Sequence, residues 1–210
     1  MFADRCEAGR RLADRVAGLE LQSPVLVVGL PRGGVPIAAE VARRLGAPLD
    51  VVLVRKIGVP GYPELAMGAL GEDDVIVRSD DVIAHADVRP DEFERAVDIA
   101  RAQLAAQLAR FRRDGVRHDL DGHTVVVVDD GIATGATARA ACAVLRAGGA
   151  AHLVLATPVA PHGWEASLAG VADTYVALET PRHFGAVGAY YADFSETTDA
   201  AVLTALAGEG

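Results

Sequence analysis

The stretch from Val125 to Ala141, VVVVDDGIATGATARAA, constrains this chain more than any other. Four valines in a row read as a buried strand. Two carboxylates, Asp129 and Asp130, follow at once. A loop of small residues and hydroxyls then leads into a helix: Gly131, Ile132, Ala133, Thr134, Gly135, Ala136 and Thr137. Such a loop offers backbone N–H groups, the positive end of a helix dipole and two threonine hydroxyls, which together make a cradle for phosphate. Carboxylates repel phosphate, so one ligand has to satisfy both halves of the motif. A ribose 5-phosphate does so: its 2- and 3-hydroxyls suit Asp129 and Asp130, which also attract hydrated Mg2+, and its phosphate suits the loop. A P-loop is excluded because the helix has no lysine, and G-x-G-x-x-G spacing is absent. A plain strand-to-helix turn with uninvolved acids is the alternative.

The rest of the chain supplies a matching scaffold. Leu12, Val16 and Leu19 fall at helical spacing; Val25–Val28 reads as a buried strand, and Val35, Ala38, Val41 and Leu45 mark a helix ending at Gly46. Asp50–Val54 reads as a second buried strand, which completes a strand–helix–strand unit. Gly58 to Pro63 is rich in breakers and reads as a mobile loop. Val75–Val77 reads as a short strand. Phe93, Val97, Ala100, Leu104, Leu108 and Phe111 make a long helical stripe that starts at Pro90. Strands at Thr124–Val128, His152–Pro158 and Thr174–Leu178, with a helix at the end, complete the pattern. The expected architecture is α/β: an open, mostly parallel sheet flanked by helices, with ligands at the carboxyl ends of the strands. The 210 residues suit a single domain with its core at about 20–178. A small hood is expected from the C-terminal segment, about 179–210, with the N-terminal helix as a further contributor.

Charge and composition narrow the partners. A formal net charge of −9 and the lack of a basic stripe argue against nucleic acid. The apolar runs are too short for a membrane span, and the opening residues show no apolar export signal, so a cytoplasmic location is expected. Cys6 and Cys142 lie far apart and outside any metal or redox spacing, as do His85, His118, His123, His152, His162 and His183. Among 20 basic residues there is a single lysine, Lys56, which marks a place where a compact ammonium is wanted.

Four apolar residues, two acids and G-[IV]-A-T-G-x-T resemble the phosphoribosyl pyrophosphate (PRPP) signature of type I phosphoribosyltransferases. Similarity extends over most of the chain, in particular to bacterial members sharing LPRGGVPIA and RKIGVPGYPELAMGA. The resemblance implies that Gly131 to Thr137 hold the 5-phosphate and that Asp129 and Asp130 hold the ribose and, through water, Mg2+. It implies a pyrophosphate loop at Pro31, Arg32, Gly33 and Gly34, often with a cis peptide. That stretch alone equally suits an ordinary glycine-rich turn. Arg55 and Lys56, read at the end of the next strand on the same sheet edge, would steady the leaving pyrophosphate, and Gly58–Pro63 would be a lid from which Tyr62 and Glu64 reach substrate.

The chain is 5% aromatic, yet Phe184, Tyr190, Tyr191 and Phe194 crowd into PRHFGAVGAYYADF. The first three are candidates for stacking on an acceptor base, with core packing as the alternative. Ala133 stands where the 6-oxopurine enzymes of this family carry a third acid, which argues against hypoxanthine or guanine as acceptor. The expected function is Mg2+-dependent transfer of ribose 5-phosphate from PRPP to a nitrogenous base by a homodimer. A PRPP- or nucleotide-binding regulator on the same fold is the second reading, and a Rossmann-type oxidoreductase, which lacks its fingerprint, the third.

Overall fold

The computed structural model describes residues 1–112 and 118–208. Five parallel strands form the main sheet in the order β2-β1-β6-β7-β8: β1 (Val25–Gly29), β2 (Leu49–Val51), β6 (Thr124–Val128), β7 (His152–Val159) and β8 (Thr174–Glu179). Helix α1 (Arg5–Ala17) and α2 (Gly34–Leu45) cover one face, and α5 (Ala136–Ala147) covers the other. The valine run serves both faces. Val125 and Val127 pack towards α5, Val126 and Val128 towards α1 and α2, and all four are 0% exposed. This double burial is why β6 lacks the alternation of a half-exposed strand.

Register places the site. Gly29 at the end of β1 pairs with Val128 at the end of β6, so the loops that follow the two strands leave the same edge side by side. From β1 the chain steps outward to β2, whereas β6 steps the other way through β7 to β8. The crevice between β1 and β6 is the topological switch point, where open α/β sheets accept ligands.

Two expectations need correction. The strand expected over Asp50–Val54 is two: β2 stops at Val51, and β3 (Val54–Val59) belongs to another sheet. The breaker-rich Gly58–Pro63 is not an open loop. It is the turn between β3 and β4 (Tyr62–Gly71), with Gly61 at φ 79°. β4 also pairs with β5 (Ile76–Arg78), which gives a three-stranded antiparallel sheet. β5 reaches only Gly68–Leu70, so Pro63 sits where β4 is flanked on one side alone, the position in which a strand accommodates proline. This second sheet lies between α5 and α4 (Pro90–Phe111), with Ala69 against Ala140 and Val144 and with Ile57, Met67 and Leu70 against Phe93, Val97 and Ala100.

Besides β4, α3 (Asp80–His85) and α6 (Trp164–Ser167) are not anticipated from the sequence. The closing helix is α7 (Asp199–Leu206), packed against α2 and α4. Among the described residues, no helix is long and apolar enough to cross a membrane.

Candidate active site

The loop after β6 is held by its own anchors. Ile132 is 3% exposed and donates its backbone N–H to Val159 O at 2.9 Å. Gly135 turns the chain into α5 at φ 72°, where a β-carbon would also lie 2.7 Å from Leu168. Ala133 and Thr134 between these anchors, and Thr137 just beyond them in α5, are exposed around a concavity of about 180 Å3, lined by Asp129 and Gly131 to Ala138. The N–H groups of Ala133, Thr134, Gly135 and Thr137 have no partner among the described residues. Unused amides at a helix N-terminus, beside two hydroxyls, are the donor set an oxyanion requires.

The pyrophosphate-loop candidates meet the acids directly. The Pro31–Arg32 peptide is cis. Gly34 lies so near β6 that a β-carbon there would stand 2.5 Å from Val128 O. At Gly33 a β-carbon would fall 1.9 Å from Asp130 Oδ2, so the Asp130 carboxylate rests on the glycine backbone. Arg32 is engaged by the C-terminal segment, paired with Glu196 and with Asp199 at 3.6 Å.

Asp130 has a partner that sequence reasoning missed. Arg5, on the first turn of α1, donates to Asp130 Oδ2 from Nε at 3.0 Å and from Nη2 at 2.8 Å. Its Nη1 donates to Ser195 O at 2.7 Å, and its guanidinium lies 4.0 Å over the Phe194 ring. Tyr191 donates its hydroxyl to Asp130 O at 2.6 Å. Val187 presses on Gly131, where a β-carbon would come within 2.2 Å of it. The C-terminal segment therefore packs over the acid pair, tied to the chain's start by Phe2 N to Tyr190 O at 2.7 Å and Ala192 N to Phe2 O at 2.8 Å.

The two acids are not equivalent. Burial, and then the charge of Asp130, push the Asp129 carboxyl up to about 7, against the pull of the Asp130 N–H on Oδ1 and of Arg5. A raised folded-state pKa contributes stability that is complete below the unfolded value, about 3.9, and is lost as pH rises to the folded value. Thermal melting of the ligand-free protein in chelator should therefore show a falling contribution from about pH 4 to 7, up to roughly 1.4 kcal/mol per pH unit. Asp129→Asn should lack it. Parallel profiles for the two proteins would contradict this assignment.

The remaining candidates are not all brought together. Arg55 and Lys56 lie within β3 of the second sheet, not at the end of a main-sheet strand, because the chain leaves that sheet after Val51. They also face opposite ways. Lys56 pairs with Ala69, which packs on α5, whereas Arg55 pairs with Leu70, which packs towards α4. Lys56 shares the strand face that looks at α5, the helix that follows the β6 loop. Arg55 Nε is buried and makes no hydrogen bond among the described residues.

Tyr191 is 5% exposed, with its ring packed among Phe2 and Phe194, and presents no open face. Phe184 and Tyr190 stack on each other, 5.6 Å between centroids and 17° between planes, and both stay partly exposed. Among the described residues, no group of three or more His, Cys, Asp or Glu could hold a metal. The paired carboxylates suit Mg2+ only as that ion is commonly held, through waters and substrate oxygens with one or two protein acids.

The phosphoribosyl transferase domain family matches residues 6–175. A Mycobacterium tuberculosis protein named "Putative phosphoribosyl transferase Rv0571c" is 52% identical over 209 residues, 98% of this chain and 46% of its own length. The chain thus spans about half the length of that curated relative. The crystal structure of TT1426 from Thermus thermophilus is 47% identical with a TM-score of 0.90, covering 98% of this chain and 97% of that one. A hypothetical Neisseria gonorrhoeae protein with bound ppGpp has a TM-score of 0.50 at 14% identity, over 84% of this chain and 78% of its own, a likeness of fold alone.

Proposed function

The chain belongs to the phosphoribosyl transferase domain family, and from that premise we propose that it transfers ribose 5-phosphate from PRPP to a nitrogenous base and releases pyrophosphate. The observation that carries this reading is the adjacency of open amides at Ala133, Thr134, Gly135 and Thr137 to the paired acids Asp129 and Asp130, at the switch point of the sheet. The amides and threonine hydroxyls bind the 5-phosphate. The acids accept hydrogen bonds from the ribose hydroxyls. Mg2+ would be held by Asp129 and Asp130 through water, and when bound it would offset charge on the pyrophosphate.

As the bond to the pyrophosphate lengthens, charge develops on the leaving oxygens, and fixed donors are most effective where charge appears. Arg32, the backbone of Gly33 and Lys56 are the donors proposed for it. Arg55, turned towards α4, is proposed to act through the hairpin rather than on the ligand. Arg32 must exchange Glu196 and Asp199 for an oxyanion; Glu196 is surface-exposed, so that exchange is inexpensive, whereas Asp199 Oδ1 is buried and loses this cation when Arg32 leaves. Phe184 and Tyr190 form the aromatic platform proposed for the base. Ala133 in place of an acid argues for an acceptor other than a 6-oxopurine. Turnover in the cytoplasm by a homodimer, without nucleic acid, completes the proposal.

The test is pyrophosphate release from PRPP and Mg2+ across purines, pyrimidines and other amines. Release with one acceptor supports the reading; tight PRPP binding with no release from any of them favours a ligand-binding regulator. Gly33→Ala should lower the rate on the order of a hundredfold, because the new methyl drives the Asp130 carboxylate off its seat and misplacements of about 1 Å have that effect. A rate within twofold of the parent would contradict the proposed ribose contact.

A further inference from the structure

Arg5 lies 125 residues from Asp130 in sequence, yet two of its nitrogens converge on a single oxygen, Oδ2. We propose that Arg5 is a positioning residue: it fixes Asp130 by one carboxylate oxygen so that the other is presented to a ribose hydroxyl. The inference rests on the functional reading above.

Among the described residues no hydrogen bond reaches Asp130 Oδ1. A carboxylate gripped at one oxygen, with that oxygen seated on the Gly33 backbone, cannot swing to exchange its two acceptors. The grip is itself fixed on three sides. Asp130 takes Nε and Nη2, the Ser195 carbonyl takes Nη1, and the Phe194 ring lies under the guanidinium plane. Each of the three guanidinium nitrogens makes a hydrogen bond, an arrangement a lysine cannot reproduce. The pair is also sheltered, the side chains being 13% and 17% exposed, so solvent competes little for the contact. Arg5 thereby links the ribose-binding acid to the C-terminal segment, and the acid is aligned only when residues 194–195 are in place.

The test measures binding of PRPP with Mg2+ and, separately, of pyrophosphate, by calorimetry, with kcat and KM in the same proteins. Arg5→Gln should weaken PRPP about tenfold or more, and Arg5→Lys nearly as much. Pyrophosphate affinity should stay within twofold, since pyrophosphate has no ribose to present to Asp130. In an Asp130→Asn background Arg5→Gln should add almost nothing. Unchanged PRPP affinity, equal weakening of both ligands, or a full additional loss on the Asp130→Asn background would each overturn the role of Arg5. A parent protein that binds no PRPP would instead overturn the functional reading, so the two failures are distinguishable.

Discussion

Asp130→Asn should reduce pyrophosphate release by about a hundred- to a thousandfold, the order lost when one preorganised polar contact to a reacting sugar is removed. The substitution keeps the shape of the side chain and an oxygen for Arg5, so the melting temperature should stay near the parent value. Asp130→Ala should be at least as inactive, and it should also be less stable. It leaves Nε and Nη2 of the sheltered Arg5 without their acceptor, although Nη1 keeps Ser195 O, and an unpaired polar group costs about 1–3 kcal/mol. The pair of variants separates chemistry from folding. Full turnover in Asp130→Asn would remove the acid from the site; a collapse in stability in that variant would make its role structural.

The second large effect lies outside the site. Arg112, just beyond the end of α4, donates to Glu72 from Nε and Nη2 at 3.0 Å each, to Val51 O at 2.8 Å, and to Asp50. Asp50 belongs to β2 of the main sheet, and Glu72 follows β4 of the second sheet. The ion cluster therefore joins α4 and the two sheets, and its side chains are only 10–12% exposed. Removing the guanidinium takes a sheltered counter-charge away from both carboxylates, although Asp50 keeps the His118 N–H; loss of one partner from such a cluster costs about 3–5 kcal/mol. Arg112→Ala should lose that much, a fall in Tm of roughly 6–20 °C for a chain of this size. Chemical denaturation checks it. A change below about 1 kcal/mol would mean that the cluster holds nothing together.

The loop after β6 is readable from sequence because every signal there is local: a valine run, two acids, then glycine and threonine at a helix start. Four of the parallel strands and the α4 stripe are readable for the same reason, while β2 is read only in part because the chain leaves the main sheet after Val51. What escapes is whatever depends on distant residues. β4 begins inside the stretch read as a loop, at Tyr62 and Pro63, and its glycines Gly68 and Gly71 interrupt any strand pattern, so it emerges only once β3, α4 and α5 are seen around it. Because nothing local marks that hairpin, Arg55 and Lys56 read as one pair at the end of a main-sheet strand, although their neighbours Leu70 and Ala69 turn them to opposite faces. Arg5 looks like any arginine of an amphipathic helix; only the fold carries it to Asp130. For Tyr191 the sequence leaves base stacking and core packing open; its ring is buried, as core packing requires, and its hydroxyl serves the Asp130 backbone.

The most direct measurement is a crystal structure of the protein with PRPP and Mg2+. The account predicts the 5-phosphate on the amides of Ala133 to Thr137, the ribose hydroxyls within hydrogen-bond reach of Asp129 and of Asp130 Oδ1, and the pyrophosphate at Arg32 and Gly33. Electron density for PRPP elsewhere, with the loop after Val128 empty, would contradict it.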